Sequence, residues 1–150
     1  MCTLRKAGLS GQDAAKFGLV RKNKDGSLRA HQGVDLASDS GFRVYAVEDG
    51  VIVDVRDSEV WGKVVTLACK VDNKPLYPFY AHLSVIKVNV GQNVKAGDVI
   101  ALTGSTGNAR GMVTIKDGGH LHFGVKSRLS AGLGLGGWVD PLPLLELKDG

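Results

Sequence analysis

Four histidines carry most of the chemistry open to this 150-residue chain: His31, His82, His120 and His122. The first stands in His31-Gln32-Gly33-Val34-Asp35. A neutral imidazole and a carboxylate are both good zinc ligands, with bonds of roughly 2.0–2.2 Å. Residues four apart in a straight strand are separated by about 13 Å, too far to share one ion. The segment must therefore bend, and Gly33 permits the bend. A helical turn would also bring positions i and i+4 together, but the surrounding sequence is a poor helix former. In His120-Leu121-His122, strand alternation turns both imidazoles to one face and sends Leu121 and Phe123 to the core. His31, Asp35 and one member of that pair make three ligands. Three protein ligands with an open fourth position is the catalytic form of a zinc site, whereas structural sites close with four. Two histidines then stay near the metal without ligating it, as a hydrolase needs for proton transfer. The fourth motif, Tyr80-Ala81-His82-Leu83-Ser84, places His82 at the end of a strand. Such a residue on its own is more often a surface or satisfied histidine. Four unrelated histidines would have to produce His-x-His and His-x-Gly-x-Asp by accident in one small chain.

The elements that must position these residues read as strands. Short apolar or alternating runs cover Phe42–Val47, Val51–Arg56, Lys63–Cys69, Leu76–Ala81, Val99–Thr103 and His120–Val125. Turn residues separate them at Glu48-Asp49-Gly50, Asp72-Asn73-Lys74-Pro75, Gly91-Gln92 and Gly97-Asp98. Asp49-Gly50 is read as a tight hairpin. With 21 glycines against 4 prolines, many short strands joined by tight turns are expected. The fold class expected is all-β: an antiparallel β-sandwich or barrel-like single domain over residues 1–150, with long loops around a groove. Residues 1–16 form an irregular tail and the core runs from about 17 to 145, with a short helix around Gln12–Phe17 weakly signalled. Gly132–Gly137 is a glycine-rich loop, followed by a tail at Asp140-Pro141 whose leucines can pack back on the core.

Composition narrows the partners. The net charge is +4, which suits an anionic partner, cell wall, nucleic acid and membrane all qualifying, or merely keeps the protein soluble. No dense Lys/Arg run with interleaved aromatics points to nucleic acid. No apolar run approaches the roughly 20 residues of a membrane span. The first residues, Met1 to Lys6, lack the apolar stretch of a secretory signal, so delivery by another route or an export segment outside this chain is expected. Cys2 and Cys69 include no Cys-x-x-Cys pair, which argues against a thiolate zinc site. A Cys2–Cys69 disulfide and a buried Cys69 with a loose Cys2 remain equal alternatives.

With these residues in place, the sequence resembles the lysostaphin/LytM-type zinc metalloendopeptidases. The likeness runs in order over roughly residues 17–145. Phe17-Gly18 with Arg21 resembles the family's lead-in, and His31-Gln32-Gly33-Val34-Asp35 its first metal motif. Gly41 to Gly50 resembles the strand and turn that follow, and Tyr80-Ala81-His82-Leu83 its third signature. Gly91 to Ile100 resembles its glycine hairpin, Gly104-Ser105-Thr106-Gly107 and His120-Leu121-His122-Phe123 its last block, and Asp140-Pro141 its closing tail. Carried over by position, the resemblance implies that His31, Asp35 and His122 bind one Zn2+ per chain. It implies that His82 and His120 are the non-ligand catalytic histidines, one the general base and the other steadying the oxyanion, without saying which. The activity implied is hydrolysis of peptide cross-links in bacterial peptidoglycan, by a monomer acting in the periplasm or at the extracellular wall. Delivery by a secretion machine or a phage would add an antibacterial role and an immunity or delivery protein as partner.

Two departures stand out. Position 124 is Gly where the family usually has Glu, so a local packing change is expected. Asn108 to Gly119 lengthens the loop before His120, with Thr114–Gly119 able to form a small hairpin. That loop is expected to help select the substrate, and deletion of Met112–Lys116 without any change in cleavage specificity would sink the idea. Two competing readings are separable by simple observations. A non-catalytic cell-wall-binding or hydrolase-regulating relative would lack zinc. A lipoyl- or biotinyl-type carrier would show a mass increment on Lys95 and leaves the four histidines without a purpose.

Overall fold

The structure is a computed structural model that describes residues 18–22, 28–31, 34–37, 40–107, 120–127 and 138–139, the stretches before residue 40 as backbone. Among the described residues there is no α-helix. A two-stranded ribbon pairs β1 (Gly18–Lys22) with β2 (Leu28–His31). All other strands among the described residues belong to one nine-stranded sheet. Its backbone is a run of long antiparallel strands, β5 (Gly50–Ser58), β6 (Gly62–Val71), β7 (Lys74–Ile86) and β10 (His120–Lys126). The short strand β8 (Asn93–Val94) closes the outer edge of β5. Along the outer edge of β10 lie β3 (Val34–Ala37) and β11 (Trp138–Val139). The far end of β7 leaves this layer and pairs with β9 (Val99–Thr103), which carries β4 (Arg43–Tyr45).

The sheet therefore curls into an antiparallel half-barrel, as an all-β sandwich or barrel-like reading requires, with β7 shared between its two parts. The core fills the curl. Val44, Ile52, Val65, Leu67, Tyr80, Leu83, Ile100, Leu121 and Phe123 are all buried there. Each such side chain contributes about 1.5–3 kcal/mol of transfer free energy. The Tyr80 and Phe123 rings meet edge to face with centroids 5.1 Å apart. The Tyr80 hydroxyl accepts a bond from the Val47 amide at 3.1 Å, and burial pushes its pKa well up. Leu121 and Phe123 point inward as the alternation of β10 demands.

Turn chemistry explains the connections. Asp72 and Asn73 both have positive φ (52° and 62°), which a two-residue hairpin of matching twist needs, and they join β6 to β7. Gly91 and Gly97 each supply a φ of +90° in turns closed by Gln92 N–H to Asn89 O and Asp98 N–H to Lys95 O. Asp49-Gly50 is different from the tight hairpin expected. β4 pairs with β9, not with β5, and Gly50 already lies in β5. Its lack of a side chain serves close packing: a Cβ there would sit 2.1 Å from the Ala68 carbonyl oxygen. Among the described residues Cys69 is a free, buried thiol, its pKa pushed up to about 11 by burial and by Glu48. Cys2, the expected helix at 12–17, the loop 108–119 and the segments 128–137 and 140–150 lie outside the described residues.

Candidate metal centre

Strand β10 is the axis of the site. His120 opens it opposite Ala37, and His122 stands directly opposite Asp35 on β3 and opposite Ala81 on β7. Directly opposed residues of an antiparallel pair hold their Cβ atoms about 4.5–5.5 Å apart. An imidazole and a carboxylate at that spacing are within reach of a shared ion. His31 ends β2, and β3 begins at Val34, so the chain passes from one sheet to the other between the two expected ligands.

His82 reaches the same place through a β-bulge. Register runs from Val65↔Tyr80 to Lys63↔Leu83, so β7 advances three residues while β6 advances two. The extra residue is accommodated at His82, whose φ is +59°, a region histidine tolerates better than most side chains. Its amide donates to the Trp61 carbonyl at 2.8 Å. Regular alternation would turn His82 away from the face of Ala81 and His122. The bulge instead brings its ring centroid to 6.2 Å from that of His122. His82 thus sits inside the 13-residue β7 and not at a strand end. With 6% and 2% of their surfaces exposed, His82 and His122 are enclosed residues, not surface histidines.

One contact of the His82 ring bears directly on its chemistry. Nδ1 lies 2.8 Å from the carbonyl oxygen of Thr106. A carbonyl only accepts, so Nδ1 carries a proton, and whenever the ring is neutral its lone pair sits on Nε2. Thr106 is itself clamped: its Oγ1 donates to the Leu83 carbonyl at 2.7 Å and accepts from the Lys63 amide at 3.0 Å. The turn that carries it packs backbone to backbone on β6. A Cβ on Gly62 (φ +67°) would lie 2.1 Å from Thr106 Oγ1, and one on Gly107 (φ +65°) 2.3 Å from the Gly62 nitrogen.

Aromatic rings wall the imidazoles. Trp61 lies with its centroid 4.7 Å from His122 and 6.0 Å from His82, and Phe79 meets His122 edge on at 6.1 Å. Such walls exclude water and strengthen the electrostatics of whatever they enclose. Neither Thr106 nor Trp61 is marked as part of the centre by its residue type. The glycines beside them, Gly62 and Gly107, were the available signal for a closely packed turn.

The architecture is shared with known proteins. Residues 29–135 match the model of peptidase family M23. The chain belongs to this metallopeptidase family. Among curated M23 relatives, it is 36% identical over 103 residues to the peptidoglycan DD-endopeptidase ShyB of Vibrio cholerae, covering 69% of this chain and 22% of that protein. The chain spans only about a fifth to three tenths of the curated M23 relatives it matches. In structure it is similar to the catalytic domain of the antimicrobial peptidase lysostaphin from Staphylococcus simulans, with a TM-score of 0.67 and 30% identity over 88% of this chain and 89% of that one. It is also similar to a zinc-containing peptidase from Vibrio cholerae, with a TM-score of 0.66 and 31% identity over 89% of this chain and 41% of that one. No helix among the described residues of this M23 chain is long and apolar enough to cross a membrane.

Proposed function

We propose that this M23 chain is a zinc endopeptidase that hydrolyses peptide cross-links in bacterial peptidoglycan. The observation that carries the reading is the register that sets His122 opposite Asp35, with the bulged His82 beside them. His31, Asp35 and His122 are the ligand set in this reading. Two imidazoles and one carboxylate form a donor set suited to zinc, and three ligands leave a position open for reaction. Zinc held there would supply an acidified water and polarise the scissile carbonyl.

The chain's own groups do the rest. The Thr106 carbonyl holds His82 in the tautomer whose Nε2 can accept a proton, so His82 is the general base in this reading. The same carbonyl stabilises the imidazolium that forms, and the proton then passes from Nε2 to the leaving amine. A neutral His82 with its one proton on Nδ1 cannot donate from Nε2, so steadying the oxyanion falls to His120, at the start of β10. The cross-links lie outside the cytoplasm, which makes the periplasm or the wall the place of action, and an antibacterial effector or phage lysin is a role consistent with that chemistry. The test is digestion of purified peptidoglycan of two kinds, with direct and with glycine-bridged cross-links. Mass spectra should show cross-linked dimers converted to monomers in one kind, which names the bond, and a zinc chelator should stop the reaction. Cleavage in the glycan strands, or none in either wall, would overturn the reading.

A further inference from the structure

The centroids of Trp61, His122 and His82 form a triangle with sides of 4.7, 6.0 and 6.2 Å, the indole tilted by 46° to His122 and 41° to His82. Whatever the two imidazoles act on together therefore also lies against the indole. Phe79, His122 and His82 are 1%, 2% and 6% exposed, whereas Trp61 is only half-buried. Among these four rings it is the one that an incoming molecule meets first. The indole cannot retreat. Its inner side packs on the buried cluster of Val64, Phe79 and Ala81, and it meets the Phe79 ring edge to face at 5.2 Å. Its backbone is held on both sides: the Trp61 amide donates to Ser58 Oγ at 2.9 Å, and the Trp61 carbonyl accepts from the bulged His82 amide at 2.8 Å. The carbonyl of the preceding Val60 is packed against Gly107, where an added Cβ would come within 2.4 Å of it. The turn between β5 and β6 is thus clamped to β7 and to the turn 104–107, and the indole is a fixed wall. A close-packed wall of this kind does not yield to extra methylenes without strain.

We propose that Trp61 sets a size limit on the substrate: its indole admits glycine or alanine as the residue that supplies the scissile carbonyl and excludes larger side chains. The proposal rests on the endopeptidase reading and narrows its substrate class to cross-links made through one of these two residues. The limit falls on the carbonyl side because the indole lies closer to His122, a ligand in that reading, than to His82, the base. In that reading the scissile carbonyl lies on the ligand side and the leaving amine on the base side. One extra methylene in a tight apolar pocket changes selectivity by about 10–200-fold. A wall that clashes with the wrong side chain gives specificity without any added attraction for the right one.

The test is binding, measured by isothermal titration calorimetry with product-like probes. These are wall stem peptides ending in glycine, D-alanine or D-leucine, whose terminal carboxylate takes the place of the scissile carbonyl. The wild type should bind the glycine and D-alanine peptides with Kd values within about 10-fold of each other, and the D-leucine peptide at least about 10-fold more weakly than the D-alanine peptide. Trp61→Ala should bind the D-leucine peptide as well as the D-alanine peptide, and Trp61→Phe, with a smaller ring, should fall between. Val60→Ser, at the 51% exposed neighbour in the same turn, should keep the wild-type order. A tryptophan serving only the packing would lower the melting temperature of its variants without altering the order of the probes. A wild type that takes D-leucine as readily as D-alanine, or binds none of the three, overturns the size limit. So does a folded Trp61→Ala or Trp61→Phe variant with the wild-type ratios intact. Cleavage of peptidoglycan, followed separately by mass spectrometry, tests the other reading: a size limit without cleavage would remove the endopeptidase and leave the limit standing, and cleavage without a size limit would do the reverse.

Discussion

At the scale of single residues, His82 and His122 are both histidines in strands, enclosed by the same tryptophan, yet they are set up for different work. His122 stands opposite Asp35 in the register of β10 and β3, and in the proposed reading it is a metal ligand. The Nδ1 proton of His82 is committed to the Thr106 carbonyl, an arrangement for accepting a proton at the other nitrogen. The two substitutions should therefore part company. His82→Ala should lower turnover by about 10²–10⁴-fold, the usual contribution of a positioned base, while zinc stoichiometry measured by atomic emission stays near that of wild type. Loss of zinc in His82→Ala would make it a ligand and reverse the assignment.

At the scale of elements, the bulge in β7 and the turn 104–107 form one device, because the turn holds the ring that the bulge presents. Thr106→Val removes both side-chain bonds of Oγ1 and frees the carbonyl to shift. It should reduce kcat about 10-fold or more with little change in KM, with Thr106→Ser close to wild type, since misplacement by about 1 Å can cost as much as 10²-fold. Gly62→Ala forces a side chain into the left-handed region and against Thr106. It should destabilise the fold by about 2 kcal/mol or more, measured by chemical denaturation. An unchanged midpoint would show that the turn packs more loosely than described. Much of this layer was legible beforehand. The period-two runs located the long strands, and the His-x-His spacing gave the inward Leu121 and Phe123. What escaped was non-local. Pairing of β4 with β9 depends on contacts over fifty residues away, so Asp49-Gly50 looked like a hairpin although nothing pairs across it. The bulge at His82 depends on register against β6, and strand periodicity alone predicts a strand end there. The orienting contact of Thr106 comes from a backbone carbonyl, which no residue type encodes.

At the scale of the molecule, a curled sheet with its apolar core inside the curl leaves the other face of β7 and β10 for chemistry. The proposed ligands Asp35 and His122, the proposed base His82 and the aromatic wall all lie along these strands and their neighbours, where the backbone is held on both edges. A rigid platform of this kind suits a reaction that depends on positioning. Its central claim is that one zinc, held by His31, Asp35 and His122, is required for cutting the wall peptides. The most direct measurement couples zinc content to peptide release from peptidoglycan, for the wild type and His122→Ala. The wild type should hold about one zinc per chain and release peptides, and His122→Ala, with the same circular dichroism spectrum, should lose both. A folded His122→Ala variant that keeps its zinc or still releases peptides would contradict the account.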